Sequence, residues 1–175
     1  MRIFLVILTS FLMVACSARI EDYRSMQPAL DLQEYFDGNI TAWGQFQDRS
    51  GMVIKRFRVD MTGTWVGNEG TLDERFTYDD GSTQQRIWKI KKHDNDRYTG
   101  RADDVIGEAE GMAAGPALQW SYTLALPVDG KIYNVRFNDW MYLHDKHTMM
   151  NRAVMSKFGV KLGEITLTFR KEDSK

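Results

Sequence analysis

The sequence predicts an all-β protein, an antiparallel barrel of about eight to ten strands. Three observations carry that expectation. Beyond Gly38, apolar and polar residues alternate with period two over many segments of strand length. Glycine-containing turn signals separate those segments. The chain of 175 residues holds only three prolines, and Pro116 and Pro127 stand at segment ends, where a missing N–H does least harm. Closure is favoured over an open arrangement because it removes exposed strand edges. Hydrophobic content of 43% and charged content of 27% suit a single globular domain with one core. A net charge of -1 with mixed signs argues against phosphate-backbone binding, so no nucleic acid partner is expected. It also offers no polybasic patch for an anionic membrane surface.

The chain opens with "MRIFLVILTSFLMVACSARIE". Arg2 precedes an apolar run from Ile3 to Ala15 that is too short for a bilayer span and fits the core of an export leader. The run ends at Cys16, the one cysteine of the sequence, so no internal disulfide can form. This arrangement resembles the lipobox of bacterial lipoproteins, with Met13 where leucine is commonest. The resemblance implies cleavage before Cys16, acylation of its thiol and new amino terminus, and anchoring through several acyl chains. Ser17, in place of an aspartate, points to the outer membrane of a Gram-negative envelope, with the body in the periplasm. The alternative is an ordinary secreted protein cut nearby, with Cys16 incidental. The expected organisation is a lipoprotein signal peptide over 1–15, a lipidated N-terminus and tether over 16–30, and a barrel over 31–175.

"ALDLQEYFDG" has the pattern of one or two helical turns before Gly38. "MVIKRFRVDM" then sets Val53, Phe57, Val59 and Met61 on one face, interrupted by Lys55. "GTLDERFTYDDG" sets Leu72, Phe76 and Tyr78 against Thr71, Asp73, Arg75 and Thr77. "LQWSYTLAL" alternates Trp120, Tyr122, Leu124 and Leu126 against polar and small residues, and "EITLTF" does the same with Ile165, Leu167 and Phe169. Such alternation buries one face of an antiparallel sheet and leaves the other polar. Asp80-Gly81 and Asp129-Gly130 are tight-hairpin signals. "TMMNRAVMSKF" fits a helix as well as a strand, but the turn and clear strand that follow favour a terminal hairpin.

Several stretches together resemble the bacterial lipoprotein family catalogued as domain of unknown function 3833. They include "AWGQFQDRSG", "RFRVDMTGTWVGNEGTLDERFTYDDG", "YTGRADDVIGEAEG", "LPVDGKIYNVRFNDWMY" and "NRAVMSKFGVKLGEITLTFRK". The resemblance runs from about Gln33 to Lys171, and "GRADDVIGEAEG" and "NDWMY" are its most particular parts. Asn138 departs from the family pattern, which often carries aspartate there. The resemblance implies a lipocalin-like (calycin-type) barrel in the Gram-negative envelope and brings no established activity. The resemblance further implies a genetic neighbourhood, family members often being encoded near enzymes that modify membrane fatty acyl chains.

The densest polar cluster is "RFNDWMYLHDKHTMMNR". Its strand puts Tyr133, Val135, Phe137, Met141 and Leu143 on one face with Asp139 as the exception, and Asn134, Arg136, Asn138, Trp140 and Tyr142 on the other. Asn151 and Arg152 follow on the next strand. Arg136, Asn138, Asp139, Trp140, Tyr142, Asn151 and Arg152 are therefore the candidate ligand site, an arginine fork for a carboxylate or phosphate with aromatics against an acyl chain. The competing expectation is a structural ion pair between Asp139 and Arg152.

"GRADDVIGEAEG" gathers Arg101, Asp103, Asp104, Glu108 and Glu110, either as a carboxylate cluster or as a solvated turn; the spacing of a calcium loop is absent. His144 and His147 lack an evident third ligand, and no His-Glu-x-x-His pattern, nucleophile elbow or phosphate loop occurs, so neither metal nor cofactor is expected. Five tryptophans, including Trp88 and Trp120, are expected mainly in the core. Among the interleaved Arg56, Arg58, Arg86, Arg101 and Arg136, any that points inward needs a carboxylate partner.

Three functions are weighed. The first is a lipid-anchored barrel that binds or shuttles an apolar or fatty-acyl ligand. The second is a packed barrel whose outer face binds a protein. The third is an enzyme using Asp139, His144 and Arg152, which requires those side chains to converge.

Overall fold

The computed structural model describes residues 17–128 and 130–172. The leader, Cys16 and the aspartate of the Asp129-Gly130 turn lie outside these residues. A 3-10 helix at Ile20–Tyr23 and a short helix α1 at Leu32–Phe36 precede ten strands. The first five are β1 (Gly38–Asp48), β2 (Val53–Val66), β3 (Glu69–Tyr78), β4 (Thr83–Lys92) and β5 (Arg97–Arg101). The rest are β6 (Ala109–Ala114), β7 (Ala117–Val128), β8 (Lys131–Leu143), β9 (Thr148–Lys157) and β10 (Val160–Lys171). Each strand pairs antiparallel with its sequence neighbours, and β1 meets β10 to close the barrel. The all-β barrel read from the alternation is the observed fold, with the ambiguous "TMMNRAVMSKF" forming β9 as one arm of a hairpin.

Alternation decides what enters the core. Val59 and Met61, Leu72, Trp88 and Ile90, Trp120, Tyr122 and Leu124, Val135 and Phe137, and Phe169 all point inward and are buried. Turns at Asp80-Gly81 and Phe158-Gly159 use the left-handed conformation, easily at Gly81 (φ 81°) and under strain at Phe158 (φ 50°).

One end of the barrel is plugged. Asp31 caps α1 by accepting from the Gln33 N–H at 2.8 Å. Leu32, Tyr35 and Phe36 are then buried, with the Tyr35 hydroxyl donating to the His147 carbonyl at 3.0 Å. Phe36 meets Phe169 edge-on at 6.0 Å between ring centroids. Gly63 makes the plug possible, because a Cβ there would sit 1.5 Å from the Phe36 carbonyl oxygen. Ion contacts between Lys92 and Asp31, and between Lys171 and the Glu34 carbonyl, fasten its edge.

The segment before α1 also lies on the barrel. Ser17–Arg19 are exposed, but Ile20 is buried beside Ala114 and Ala117. Tyr23 lies 6.0 Å from Trp140 and 5.6 Å from Tyr142, ring to ring, on the outer wall near the plugged end.

The opposite end is open. Phe46, Phe57, Phe76, Tyr78, Ile165 and Leu167 point inward by alternation yet remain partly exposed. The rim carries exposed apolar side chains, Phe158 at 94%, Ile132 at 64% and Met52 at 62% among them.

Candidate functional site

The middle of the barrel holds a polar layer built by five strands and one loop. Glu74 stands on the inner face of β3 between Leu72 and Phe76. Arg86 faces it from β4, opposite in register, with 3.8 Å between guanidinium and carboxylate. The upper half of β4 has no neighbour on its other side, since β5 pairs only with Lys89–Lys92. The loop after β5 fills that gap and brings Asp104 to Arg86. The guanidinium Nε donates to both carboxylate oxygens at 3.0 Å and Nη2 donates at 2.7 Å, a bidentate fork. From β7 the Tyr122 hydroxyl donates to Asp139 Oδ2 on β8 at 3.2 Å, and the Trp88 indole hydrogen-bonds Glu74. Asn151 enters from β9, its Nδ2 reaching the Trp140 carbonyl at 3.5 Å.

Burial sets the ionisation of this layer. Desolvation pushes both Glu74 and Asp139 up to about 7, against the pull of Arg86. Burial raises the Tyr122 phenol well above its usual range, and the Asp139 carboxylate adds to that. Arg86 is the reverse case: desolvation disfavours its charge, but the Asp104 fork and Glu74 keep it firmly cationic. Two oxygens in the layer, Asp139 Oδ1 and Asn151 Oδ1, are buried and have no partner among the described residues.

Above the layer runs an aromatic wall. The Lys55 ammonium lies 4.1 Å from the Tyr78 ring centroid, Tyr78 stacks on Phe76 at 6.1 Å, and the Arg86 guanidinium lies 5.5 Å from Phe76. Phe57 packs against Phe76 and Tyr78, its ring lying across Gly44, where a Cβ would come within 2.5 Å.

The sequence-derived candidates divide between the two sides of the wall. Asp139 and Asn151 face inward and are buried. Arg136, Asn138, Trp140, Tyr142 and Arg152 face outward. Arg136 is exposed between Thr123 and Ser156, and Asn138 accepts from Gln119 at 3.2 Å and Ser121 at 3.3 Å. Trp140 and Tyr142 stack on each other and are met by Tyr23, so their faces serve the N-terminal segment. The expected Asp139–Arg152 pair does not form. Register places Arg152 beside Thr166 on the outer face, where it forks onto Glu164 at 2.6 and 2.9 Å.

Nor do the proposed enzymatic groups converge. Asp139 is inside, Arg152 is outside, and His144 is exposed in the loop at the plugged end. Among the described residues no group of three His, Cys, Asp or Glu side chains is placed to hold a metal ion. Arg101 pairs with Glu108 on the surface at 3.1 Å, so of the charged residues in "GRADDVIGEAEG" it is Asp104 that joins the interior layer.

Glu74, Arg86, Asp104 and Tyr122 are the members that the candidate list lacked. The signals were a carboxylate in step with the apolar face for Glu74, and an arginine in step with Trp88 and Ile90 for Arg86.

Fold and site together define a class: a ten-stranded antiparallel cup, plugged at one end, with a buried acid-rich layer at mid-height. The chain belongs to the family described as protein of unknown function (DUF3833), which matches residues 10–171. No curated protein matches it. Among solved structures, the S-type phycobiliprotein lyase from Guillardia theta is similar in fold, with a TM-score of 0.59 at 10% identity over 90% of this chain and 100% of that one. A de novo designed fluorescence-activating β-barrel aligns at a TM-score of 0.43 and 15% identity, over 82% of this chain and 99% of its own.

Proposed function

We propose that this protein is an outer-membrane lipoprotein, acylated at Cys16 and facing the periplasm, that binds or shuttles an apolar, fatty-acyl-type ligand in the open half of its barrel. One observation carries the reading. Inward apolar side chains stay partly exposed above a buried polar floor, while α1 blocks the far end. Burying an acyl chain there gains about 0.8 kcal/mol per methylene, enough to hold a long chain without any covalent step. The phycobiliprotein lyase shows that a barrel of this fold can serve small-molecule chemistry, which supports the reading by analogy only.

The experiment is mass spectrometry of small molecules extracted from the exported protein. A stoichiometric acyl-chain compound, absent from an unrelated periplasmic control, is expected. An empty protein that also fails to take up a fluorescent fatty acyl probe overturns the carrier reading. Metabolic labelling with radioactive palmitate tests the anchor separately, and Cys16→Ser should abolish the label.

A second reading rests on the outer wall. A shallow groove over β10, β1 and β2 carries half-exposed Trp43 with Met150 and Arg58. In that reading the groove binds a protein and the barrel interior is only a core. Trp43→Ala should then abolish capture of the partner without altering any small-molecule content.

A further inference from the structure

Among the described residues, the polar layer has three carboxylates, Glu74, Asp104 and Asp139, against one guanidinium. That guanidinium is already engaged, with a bidentate fork to Asp104 and a contact to Glu74. An incoming carboxylate or phosphate would find no free cation in the layer and would meet an excess of acid. A donor meets the opposite situation. Asp139 Oδ1 and Asn151 Oδ1 are both buried, both on the inner face, and both without a partner. Register makes them diagonal neighbours: Asp139 stands opposite Ala153, and Asn151 is two residues further along the same strand, opposite Met141. Diagonal pairs of this kind lie about 7–8 Å apart backbone to backbone, near enough for both side chains to address one polar head group. Ala153, the buried residue beside them on the inner face, is small and carries no polar group to satisfy either oxygen. A buried acceptor without a donor carries an uncompensated desolvation cost, which a bound donor recovers.

We propose that the interior selects ligands whose polar end donates hydrogen bonds to the orphan oxygens, a hydroxyl to one of Asp139 Oδ1 and Asn151 Oδ1 and an amide or an ammonium to both, and discriminates against free carboxylates and phosphates. This inference rests on the carrier reading and specifies the chemistry of the ligand's polar end. The ligand's chain lies along the Phe57, Phe76 and Tyr78 wall and its donor reaches the layer beneath. Specificity of this sort is strong, because the wrong head group leaves buried polar groups unmatched.

The test is displacement of a fluorescent apolar reporter from the full chain by hexadecanol, hexadecylamine and palmitate, which share one chain and differ in head group. Hexadecanol and hexadecylamine should compete at concentrations roughly tenfold or more below palmitate. In Asp139→Asn and in Asn151→Leu, each checked for an intact melting transition, that gap should shrink to about threefold or less. Palmitate competing as well as the alcohol in the native protein overturns the inference, since a water molecule between the two oxygens would then account for them. A gap that persists in both variants overturns it too. Failure of all three compounds to compete, or of the reporter to bind, defeats the carrier reading itself, and the head-group inference with it.

Discussion

Replacing Arg86 by methionine removes the one cation of the buried layer while keeping most of its length. Its side chain is 14% exposed, that of Glu74 13% and that of Asp104 27%, so none of the three is freely hydrated. Removing one partner of a buried pair costs about 3–5 kcal/mol, because the charge left behind is neither solvated nor matched. The loss depends on pH, and its sign follows from Glu74. With the Glu74 carboxyl raised to about 7, the native protein holds it largely neutral at pH 5.5, where it needs Arg86 little. The cost there is mainly that of the Asp104 hydrogen bonds, about 1.5–3 kcal/mol. At pH 8 Glu74 is ionised, and both carboxylates lose their counter-ion. The expected fall in Tm at pH 8 is therefore roughly 6–20 °C for a domain of this size, and clearly smaller at pH 5.5. Thermal unfolding followed by circular dichroism and tryptophan fluorescence at both pH values measures it. Equal losses at the two pH values, or a loss below about 1 kcal/mol at pH 8, would refute the argument that Arg86 neutralises buried acid.

Five further outcomes are expected. The native protein should lose stability as pH rises through 7, since Glu74 and Asp139 have folded values raised above their unfolded ones. Asp139→Asn should flatten that fall and leave the protein about 4 kcal/mol better off at pH 8 than an ionised Asp139 allows, measured by urea unfolding. Gly63→Ala should force α1 out of the plugged end, at a cost of about 3 kcal/mol and with faster amide exchange across Leu32–Phe36; unchanged exchange would contradict the fit. Arg152→Ala should cost no more than about 1 kcal/mol and leave ligand content unaltered, because its pair with Glu164 is a surface pair. Phe158→Asn should raise Tm, gaining about 0.5–1 kcal/mol by easing a left-handed backbone at an exposed turn; a drop would mean the ring contributes to folding.

The strands were legible because one face of each had to be apolar, and period-two alternation records that requirement directly. Asp139 stood out for the same reason, as a carboxylate in step with Val135, Phe137 and Met141. Glu74 carried an equal signal between Leu72 and Phe76. The rest of the candidate cluster was gathered by closeness along the chain, and in a strand closeness along the chain separates side chains. Asn138, Asp139 and Trp140 are consecutive and alternate across the wall, so they cannot form one site. The partnership of Arg86 with Asp104 was not readable at all. It exists because β5 has only five residues and leaves upper β4 unpaired, so that a loop closes the wall. Strand-length mismatch is a property of the assembled barrel, and local sequence does not encode it.

The bedding of Ile20 and Tyr23 on the wall gives the molecule a direction. Among the described residues, only Ser17–Arg19 are exposed before the chain is fixed to the barrel near its plugged end, a leash of about 10 Å. If Cys16 carries the proposed acyl anchor, a body on so short a leash could not turn end over end. Under that proposal its opening would face away from the anchoring bilayer, into the aqueous space, and traffic through that opening would come from what the space brings rather than from the lipid underneath.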